Sequence, residues 1–312
     1  MVTAVATREA LGRTLVELGR EDDRIVVLGG DLNKATTALA FAQAFPDRFF
    51  DVGAAEQNMM GIAAGLAISG KIPFCTTFAV FGTGRAFDHI RVSIAQPHLN
   101  VKLVLTHAGL LTGEDGKSAQ AIEDLALMTA LPGFTVVVPA DAPEAAAAIR
   151  TAATTDGPFY IRLSRSPTPV LHDERSSFGV GKAELMRDGS DVAIVACGAM
   201  VSRALEAADS LAWQGIHARV INLATLAPVD EKALTAAATE TGALVTVEEH
   251  YVRGGLNAIV SQVVAAHSPV PIQAVALHGY AESGPPQALL EKYGLTAAKV
   301  EEAVHSVLQR KR

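Results

Sequence analysis

The sequence predicts an α/β protein with two domains, each built on a mostly parallel sheet covered by helices. Short, continuously apolar segments alternate with longer helical segments along the whole chain. A stretch with little periodicity interrupts this alternation in mid-chain, at residues 166–182. Continuous apolar strands joined by helices are typical of parallel sheets that are buried on both faces.

The first series of elements precedes the interruption. Its predicted strands cover residues 24–28, 48–52, 72–76, 101–106, 135–138 and 159–163. Its predicted helices cover residues 7–20, 56–69, 87–95, 121–129 and 143–154, and Pro-Gly or Gly-Pro pairs end several of them. These elements predict a first domain over residues 1–170.

The second series follows a linker that we expect at residues 171–181, and it predicts a domain over residues 182–312. Strands are expected at 192–197, 218–223, 243–248 and 272–276, and helices at 201–214, 230–241, 256–266 and 297–309. Glu248, Glu249 and His250 are expected to form a polar strand end that faces solvent, as such ends commonly do.

Composition limits the class of protein. Of the 312 residues, 49% are apolar and 19% are charged, which is typical of a globular chain. The net charge of −7 argues against a nucleic-acid partner, and the lack of an apolar run of about 18 residues argues against a membrane span. Cys75 and Cys197 lie in apolar segments and are interpreted as reduced core residues, so a cytoplasmic location is expected.

Two motifs in the first domain indicate chemistry. Glu56 follows a strand and opens an apolar helix, within Asp-Val-Gly-Ala-Ala-Glu-Gln-Asn-Met-Met. The simplest role for such a residue is a negative charge at a helix N-terminus. Phe78 and Phe81 stand three residues apart after the next strand, where the alternative is ordinary core packing.

Further along come Thr106-His107-Ala108-Gly109 and Gly113-Glu114-Asp115-Gly116. Together, this order of motifs resembles the pyrimidine-binding domain of transketolases and deoxyxylulose-phosphate synthases. The segments 246–250 (Thr-Val-Glu-Glu-His), 254–256 (Gly-Gly-Leu), 282–284 (Glu-Ser-Gly) and 293–295 (Tyr-Gly-Leu) resemble the C-terminal domain of the same superfamily. The chain is therefore expected to match the last two of three transketolase domains.

The resemblance implies thiamine diphosphate as the cofactor and assigns it four kinds of contact. Glu56 would hydrogen-bond the pyrimidine N1′ and so convert the 4′-amino group into a base. Phe78 and Phe81 would hold the pyrimidine ring. A third ring contact falls at Gly84 or Arg85, and Arg85 is our choice. Asp31 would lie near the thiazolium, although a turn residue at a strand end would look the same.

The resemblance also implies a channel for a phosphorylated substrate. His107 would help to hold the phosphate end and count among the catalytic residues, and Asp115 would recognise a hydroxyl. Arg8 and Arg165 match phosphate-binding arginines, since the planar guanidinium can bind phosphate oxygens in pairs. For Arg8, a solvated cation at the start of a helix is an equally good interpretation.

One expected motif is missing from the chain. In this family the cofactor diphosphate and its metal are held by a Gly-Asp-Gly motif on a separate domain, and this sequence contains no Gly-Asp-Gly. The chain thus resembles the smaller subunit of a split transketolase. A partner subunit would supply the diphosphate site and the Mg²⁺ or Ca²⁺ ligands, in an α2β2 assembly.

One departure leaves the substrate open. Where the family has a histidine that contacts the donor-derived adduct, this chain has Ala119. The nearest alternative function is a beta subunit of a 2-oxo acid dehydrogenase or decarboxylase, or of another acyloin-forming enzyme. A non-catalytic scaffold subunit is disfavoured because Glu56, Phe78 and Phe81 are all present.

Overall fold

A computed structural model describes residues 3–173 and 178–311 of the chain. The predicted fold class is confirmed: two sheets of mostly parallel strands are each flanked by helices. The strands are β1 (Ala4–Ala6), β2 (Ile25–Gly29), β3 (Phe49–Asp51), β4 (Ile72–Thr76), β5 (Lys102–Leu105), β6 (Thr135–Val137), β7 (Phe159–Arg162), β8 (Pro167–Pro169), β9 (Glu184–Arg187), β10 (Val192–Ala196), β11 (Ala218–Asn222), β12 (Thr225–Ala227), β13 (Leu244–Tyr251) and β14 (Ile272–Leu277).

Helices connect most of these strands. They are α1 (Thr7–Glu21), α2 (Leu39–Ala44), α3 (Glu56–Ile68), α4 (Phe87–His89), α5 (Asp124–Thr129), α6 (Ala142–Thr154), α7 (Met200–Trp213), α8 (Glu231–Thr241), α9 (Leu256–His267), α10 (Pro286–Tyr293) and α11 (Ala297–Leu308). In the described part of the chain, no helix is both long enough and apolar enough to cross a membrane.

The first sheet has seven strands in the order β12-β6-β7-β5-β4-β2-β3. All neighbours are parallel except β12, which runs antiparallel to β6. Alternate strand residues face opposite sides: Val27 and Phe74 pack with α1 and α6, whereas Leu28 and Cys75 pack on the side of α3. The sheet is therefore buried on both faces, as its continuous apolar strands predict.

The second sheet has five strands in the order β14-β13-β10-β11-β9, and only β9 is antiparallel among these neighbours. α7 and α11 cover one face and α8 and α9 the other. The apolar cluster beneath α9 is continuous with the cluster beneath α3, so one core joins the two sheets. Strand β12, although it follows the linker, belongs to the first sheet.

The interruption at 166–182 contains more structure than we expected. Pro167–Pro169 forms β8, which pairs antiparallel with Ala4–Ala6 in a two-stranded sheet. Prolines are tolerated there because such a short edge strand can lack ladder N–H groups. Of the linker expected at 171–181, residues 174–177 lie outside the described residues. His172 is buried and contacts both Asp141 and Glu184, so this part of the linker is packed against folded elements.

The helix expected at 87–95 differs in detail. It consists of the short α4 followed by a π-helical segment, Ile90–Ala95, and a second π-helical segment that we did not predict spans Val80–Arg85. π-Helical turns of this kind are frequent at functional sites. The helix expected at 121–129 begins at Asp124.

The prediction for the end of β13 was wrong. Glu248, Glu249 and His250 are 0%, 4% and 0% exposed, so these residues face the protein interior instead of solvent. The Glu248 carboxylate accepts hydrogen bonds from Leu256 N and Asn257 N, the first amides of α9. Carboxylates are well placed at a helix N-terminus, which explains how a polar strand end can be buried.

Candidate active site

The predicted site residues follow the carboxyl ends of adjacent parallel strands. Asp31 follows β2, Glu56 follows β3, Phe78 follows β4, His107 follows β5 and Arg165 follows β7. Since β3, β2, β4, β5 and β7 are neighbours in the sheet, these residues share one of its edges. In open α/β sheets, ligands bind at the carboxyl ends of the strands.

Glu56 is the first residue of α3 and is 1% exposed. Its Oε2 accepts a hydrogen bond from Nη1 of Arg85 at 2.8 Å. Arg85 ends the π-helical segment Val80–Arg85, and its side chain is 45% exposed. The same guanidinium lies over the ring of Phe81, with 4.7 Å between its central carbon and the ring centroid. A planar cationic group thus stacks on an aromatic ring while it bonds a buried carboxylate.

Phe81 belongs to a stack of three rings. Its ring centroid lies 5.9 Å from that of Phe78, with the planes tilted by 11°. The imidazole of His107 also stacks on Phe78, with 3.7 Å between the ring centroids. Phe78 therefore stacks with both rings, and Phe81 also carries the Arg85 guanidinium.

A buried hydroxyl lies beside this stack. Thr77 is 0% exposed, and its Oγ1 has no hydrogen-bond partner within residues 3–173 and 178–311. A Cβ atom placed on Gly30 would lie 3.3 Å from that oxygen. Asp31, the next residue, has a positive φ of 60°, and its amide bonds Asp51 Oδ1 at 3.1 Å. Asp31 is exposed.

His107 is held in place by several groups. Its Nδ1 lies 2.8 Å from Thr106 Oγ1, and its Nε2 lies 3.4 Å from Nη1 of Arg8. Burial, followed by the nearby charges of Arg8 and Arg165, lowers the pKa of His107 to about 3. His107 is therefore neutral at physiological pH, and it can donate or accept a hydrogen bond without adding charge.

Residues 107–116, here called the 107–116 loop, carry the other predicted substrate contacts. Arg165 donates from Nη1 to Thr112 O at 3.0 Å and to Glu114 Oε2 at 2.7 Å, and its Nε lies 3.9 Å from Asp115. The Arg165 guanidinium beside Glu114 lowers the pKa of that carboxyl through their hydrogen bond. We did not single out Glu114 as a site residue, although it stands next to Asp115 in the sequence.

Ala119 lies just beyond this loop and is 6% exposed. Its neighbour Gln120 donates from Nε2 to Glu282 O at 3.1 Å. Gln120 Oε1, however, has no partner among the described residues. A small apolar side chain and an unpaired buried amide oxygen thus stand where the resemblance leads us to expect a histidine.

Most of the predicted residues therefore fall into three groups. Arg85 contacts both Glu56 and Phe81, and Phe78 joins this group to a second one that contains His107 and Arg8. Arg165 and Asp115 form the third group, at the end of the 107–116 loop.

Comparison with known families identifies the domains of the chain. Residues 3–170 match the model of the transketolase pyrimidine-binding domain, and residues 181–300 match that of the transketolase C-terminal domain. The chain belongs to the transketolase family. The predicted resemblance is thereby confirmed.

Individual relatives show how much of a transketolase this chain represents. A solved split-gene transketolase, in an inactive beta4 tetramer, is 51% identical with a TM-score of 0.92; the match covers 99% of this chain and 100% of that one. The 6-deoxy-6-sulfo-D-fructose transketolase subunit SqwH of Clostridium sp. is 43% identical, over 95% of this chain and 92% of its own length. Human transketolase is 37% identical over 97% of this chain, which spans 49% of the human protein. The chain is thus a relative of split transketolase subunits.

Proposed function

We propose that this chain is the pyrimidine-binding subunit of a split transketolase-like enzyme that transfers a two-carbon ketol unit between phosphorylated sugars or related carbonyl compounds. The observation that carries the proposal is Glu56, a buried carboxylate paired with Arg85, whose guanidinium lies over the Phe81 ring, in a chain without Gly-Asp-Gly. We propose that these residues form half of a cofactor site and that Glu56 is the residue that activates the cofactor.

The residues present fit the aminopyrimidine of thiamine diphosphate, which supplies a carbanion-stabilising thiazolium when it is bound. The Arg85 guanidinium already uses the two features that an aminopyrimidine needs, a carboxylate and an aromatic face. Thr77 adds a buried, unpaired hydroxyl. We propose that Glu56 would hydrogen-bond the pyrimidine N1′ and hold a proton there, and that Phe78, Phe81 and Arg85 would hold the ring. Asp31 would lie near the thiazolium.

The cations at the far side of the site favour an anionic substrate. Arg8 lies 3.4 Å from His107 Nε2, and the charges of both Arg8 and Arg165 act on His107, so these cations would favour a phosphate or sulfonate oxygen over a neutral group. The relative named after 6-deoxy-6-sulfo-D-fructose supports a substrate with an anionic end. Asp115 would accept a hydrogen bond from a substrate hydroxyl.

Helix α3 supports the need for a partner. Its outer face carries Gly61, Ile62, Gly65 and Ile68; the isoleucines are 36% and 74% exposed, and no atom lies near the missing side chains of the glycines. A helix that is apolar on all sides is usually buried, so we propose that another subunit covers this face. That subunit would hold the diphosphate with Mg²⁺ or Ca²⁺, in a cytoplasmic α2β2 enzyme.

Mixing experiments test the proposal. Purified alone, this chain should bind thiamine diphosphate weakly and show no ketol transfer, because the diphosphate and metal ligands are absent. Addition of its Gly-Asp-Gly partner with Mg²⁺ should restore cofactor binding and turnover, and light scattering should detect a heterotetramer. Full cofactor-dependent activity from this chain alone would contradict the split-subunit proposal.

A further inference from the structure

The buried end of β13 contacts the 107–116 loop directly. Glu249 comes from the second domain, and its Oε1 accepts the N–H of Leu111 at 2.5 Å. Leu111 lies near the start of the short 3-10 helical segment Leu110–Asp115. A carboxylate of one domain therefore binds the backbone of the substrate loop of the other.

Gly109 shows how closely the Glu249 carboxylate approaches the backbone of the 107–116 loop. It has a positive φ of 74°, and a Cβ atom at this position would lie 2.5 Å from both Cδ and Oε1 of Glu249. The Glu249 carboxylate thus occupies the space that any larger residue would need. Glycine is required here both for its backbone conformation and for this approach.

Charged groups surround the carboxylate. Arg162 of β7 donates to Glu249 O at 3.0 Å and to Asp124 of α5 at 2.7 Å. Burial raises the pKa of Glu249 to about 7, while Arg162 and the Leu111 N–H oppose that shift. Burial of an ionisable group costs free energy unless hydrogen bonds or opposite charges offset that cost, and such groups are often found at functional sites.

The second domain also holds the far end of the loop. Ser283 Oγ donates to Glu114 O at 2.5 Å, and a Cβ atom on Gly113 would lie 2.8 Å from Pro286. The loop is thus fixed at its start by Glu249 and at its tip by the segment before α10. His107 and Asp115, the proposed substrate contacts, lie within the loop held by these two anchors.

We infer that Glu249 is a positioning residue for the substrate: it fixes the start of the 107–116 loop, and the second domain thereby sets substrate affinity. This inference rests on the proposed function, because the loop carries the proposed substrate contacts. Without the carboxylate, the Leu111 N–H loses its buried acceptor. The loop then shifts from the position in which Glu249 holds it.

The test compares Glu249→Ala with Glu248→Ala in the reconstituted enzyme. Both variants remove a buried carboxylate from the same strand, but Glu248 bonds only α9 amides among the described residues. Glu249→Ala should raise KM for the phosphorylated donor by about tenfold to a hundredfold with a smaller change in kcat, since one buried N–H is left unpaired. Glu248→Ala should lower Tm but leave KM unchanged. Glu249→Gln keeps a carbonyl acceptor and should restore KM to within about threefold of wild type.

Hydrogen exchange on the isolated chain gives a readout that needs no activity. The Leu111 amide should exchange at least about tenfold faster in Glu249→Ala and at the wild-type rate in Glu248→Ala. Where Glu249→Ala does not fold, Gly109→Ala disturbs the same contact from the loop side and should raise both KM and exchange. Unchanged exchange at Leu111, or an equal rise in KM in Glu248→Ala, would overturn the inference. If the wild-type complex lacks ketol transfer, the proposed function fails, and exchange alone still decides whether Glu249 fixes the loop.

Discussion

The cofactor side and the substrate side of the site differ in how completely this chain builds them. On the cofactor side, Arg85 is 45% exposed and the outer face of α3 is open. On the substrate side, the 107–116 loop is bonded from both domains, by Arg165 in the first and by Glu249 and Ser283 in the second. The chain can therefore preorganise the proposed substrate contacts alone, whereas we propose that another subunit completes the cofactor contacts.

The largest expected effect comes from Glu56 on the open side. Glu56→Gln removes the proton that N1′ would share, so turnover of the reconstituted enzyme should fall by about 10²-fold or more with folding intact. Deuterium exchange at the thiazolium C2 should slow in parallel. Glu231→Gln is the matched control, because Glu231 also opens a helix, α8, but lies exposed outside the site. Unchanged C2 exchange in Glu56→Gln would show that Glu56 acts only as a negative charge at the N-terminus of its helix.

A second, smaller effect concerns the donor. Unless Lys117, Ser118, Gln120 or a partner residue fills the gap, Ala119 would leave one hydroxyl of a ketose-derived adduct without a partner, which would cost roughly 1–3 kcal/mol, or about tenfold to a hundredfold in rate. We expect the native enzyme to use xylulose 5-phosphate and fructose 6-phosphate poorly compared with a different donor, and Ala119→His to improve both. The panel should include hydroxypyruvate, pyruvate and a 6-sulfo sugar. Efficient use of xylulose 5-phosphate that the histidine does not change would contradict the argument from Ala119.

The last expected effect is on stability, and it tests how firmly the second domain is held. His172 lies between Asp141 of the first domain and Glu184 of β9, at 3.0 and 2.9 Å. Burial lowers its pKa, but the hydrogen bond and charge of Asp141, with Glu144 and Glu184, raise it to about 9. Protonated His172 therefore stabilises the fold fully below pH 6.5, and this stability is lost as the pH rises through 9.

Thermal unfolding measures this contribution. Between pH 6.5 and 9 the wild-type Tm should fall more steeply than that of His172→Gln, with a difference in unfolding free energy of about 1–3 kcal/mol across the range. His305→Gln, at an exposed histidine of α11, should follow the wild type. Parallel curves for His172→Gln and wild type would show that the contact adds no pH-dependent stability.

Sequence reasoning predicted the elements of both sheets because continuous apolar segments and helix terminators are local signals. It singled out Glu56, Phe78 and Phe81 through their order along the chain, and these residues follow strands that end at one edge of the sheet. It failed at Glu249, since a polar strand end carries no local sign of the loop that will cover it. The sequence also offered no sign that Arg85 pairs with Glu56. That contact depends on the π-helical segment, which places its last residue, Arg85, next to α3.

Strand β12 determines where this polypeptide can be divided. It follows the linker in sequence, yet it pairs with β6 and closes that end of the seven-stranded sheet. A cut within 171–181 would leave the first fragment with β6 as an open edge and with the apolar surface that now packs against α9 laid bare. Such a fragment would tend to aggregate, so the two domains form a single unit for expression, truncation and gene fusion.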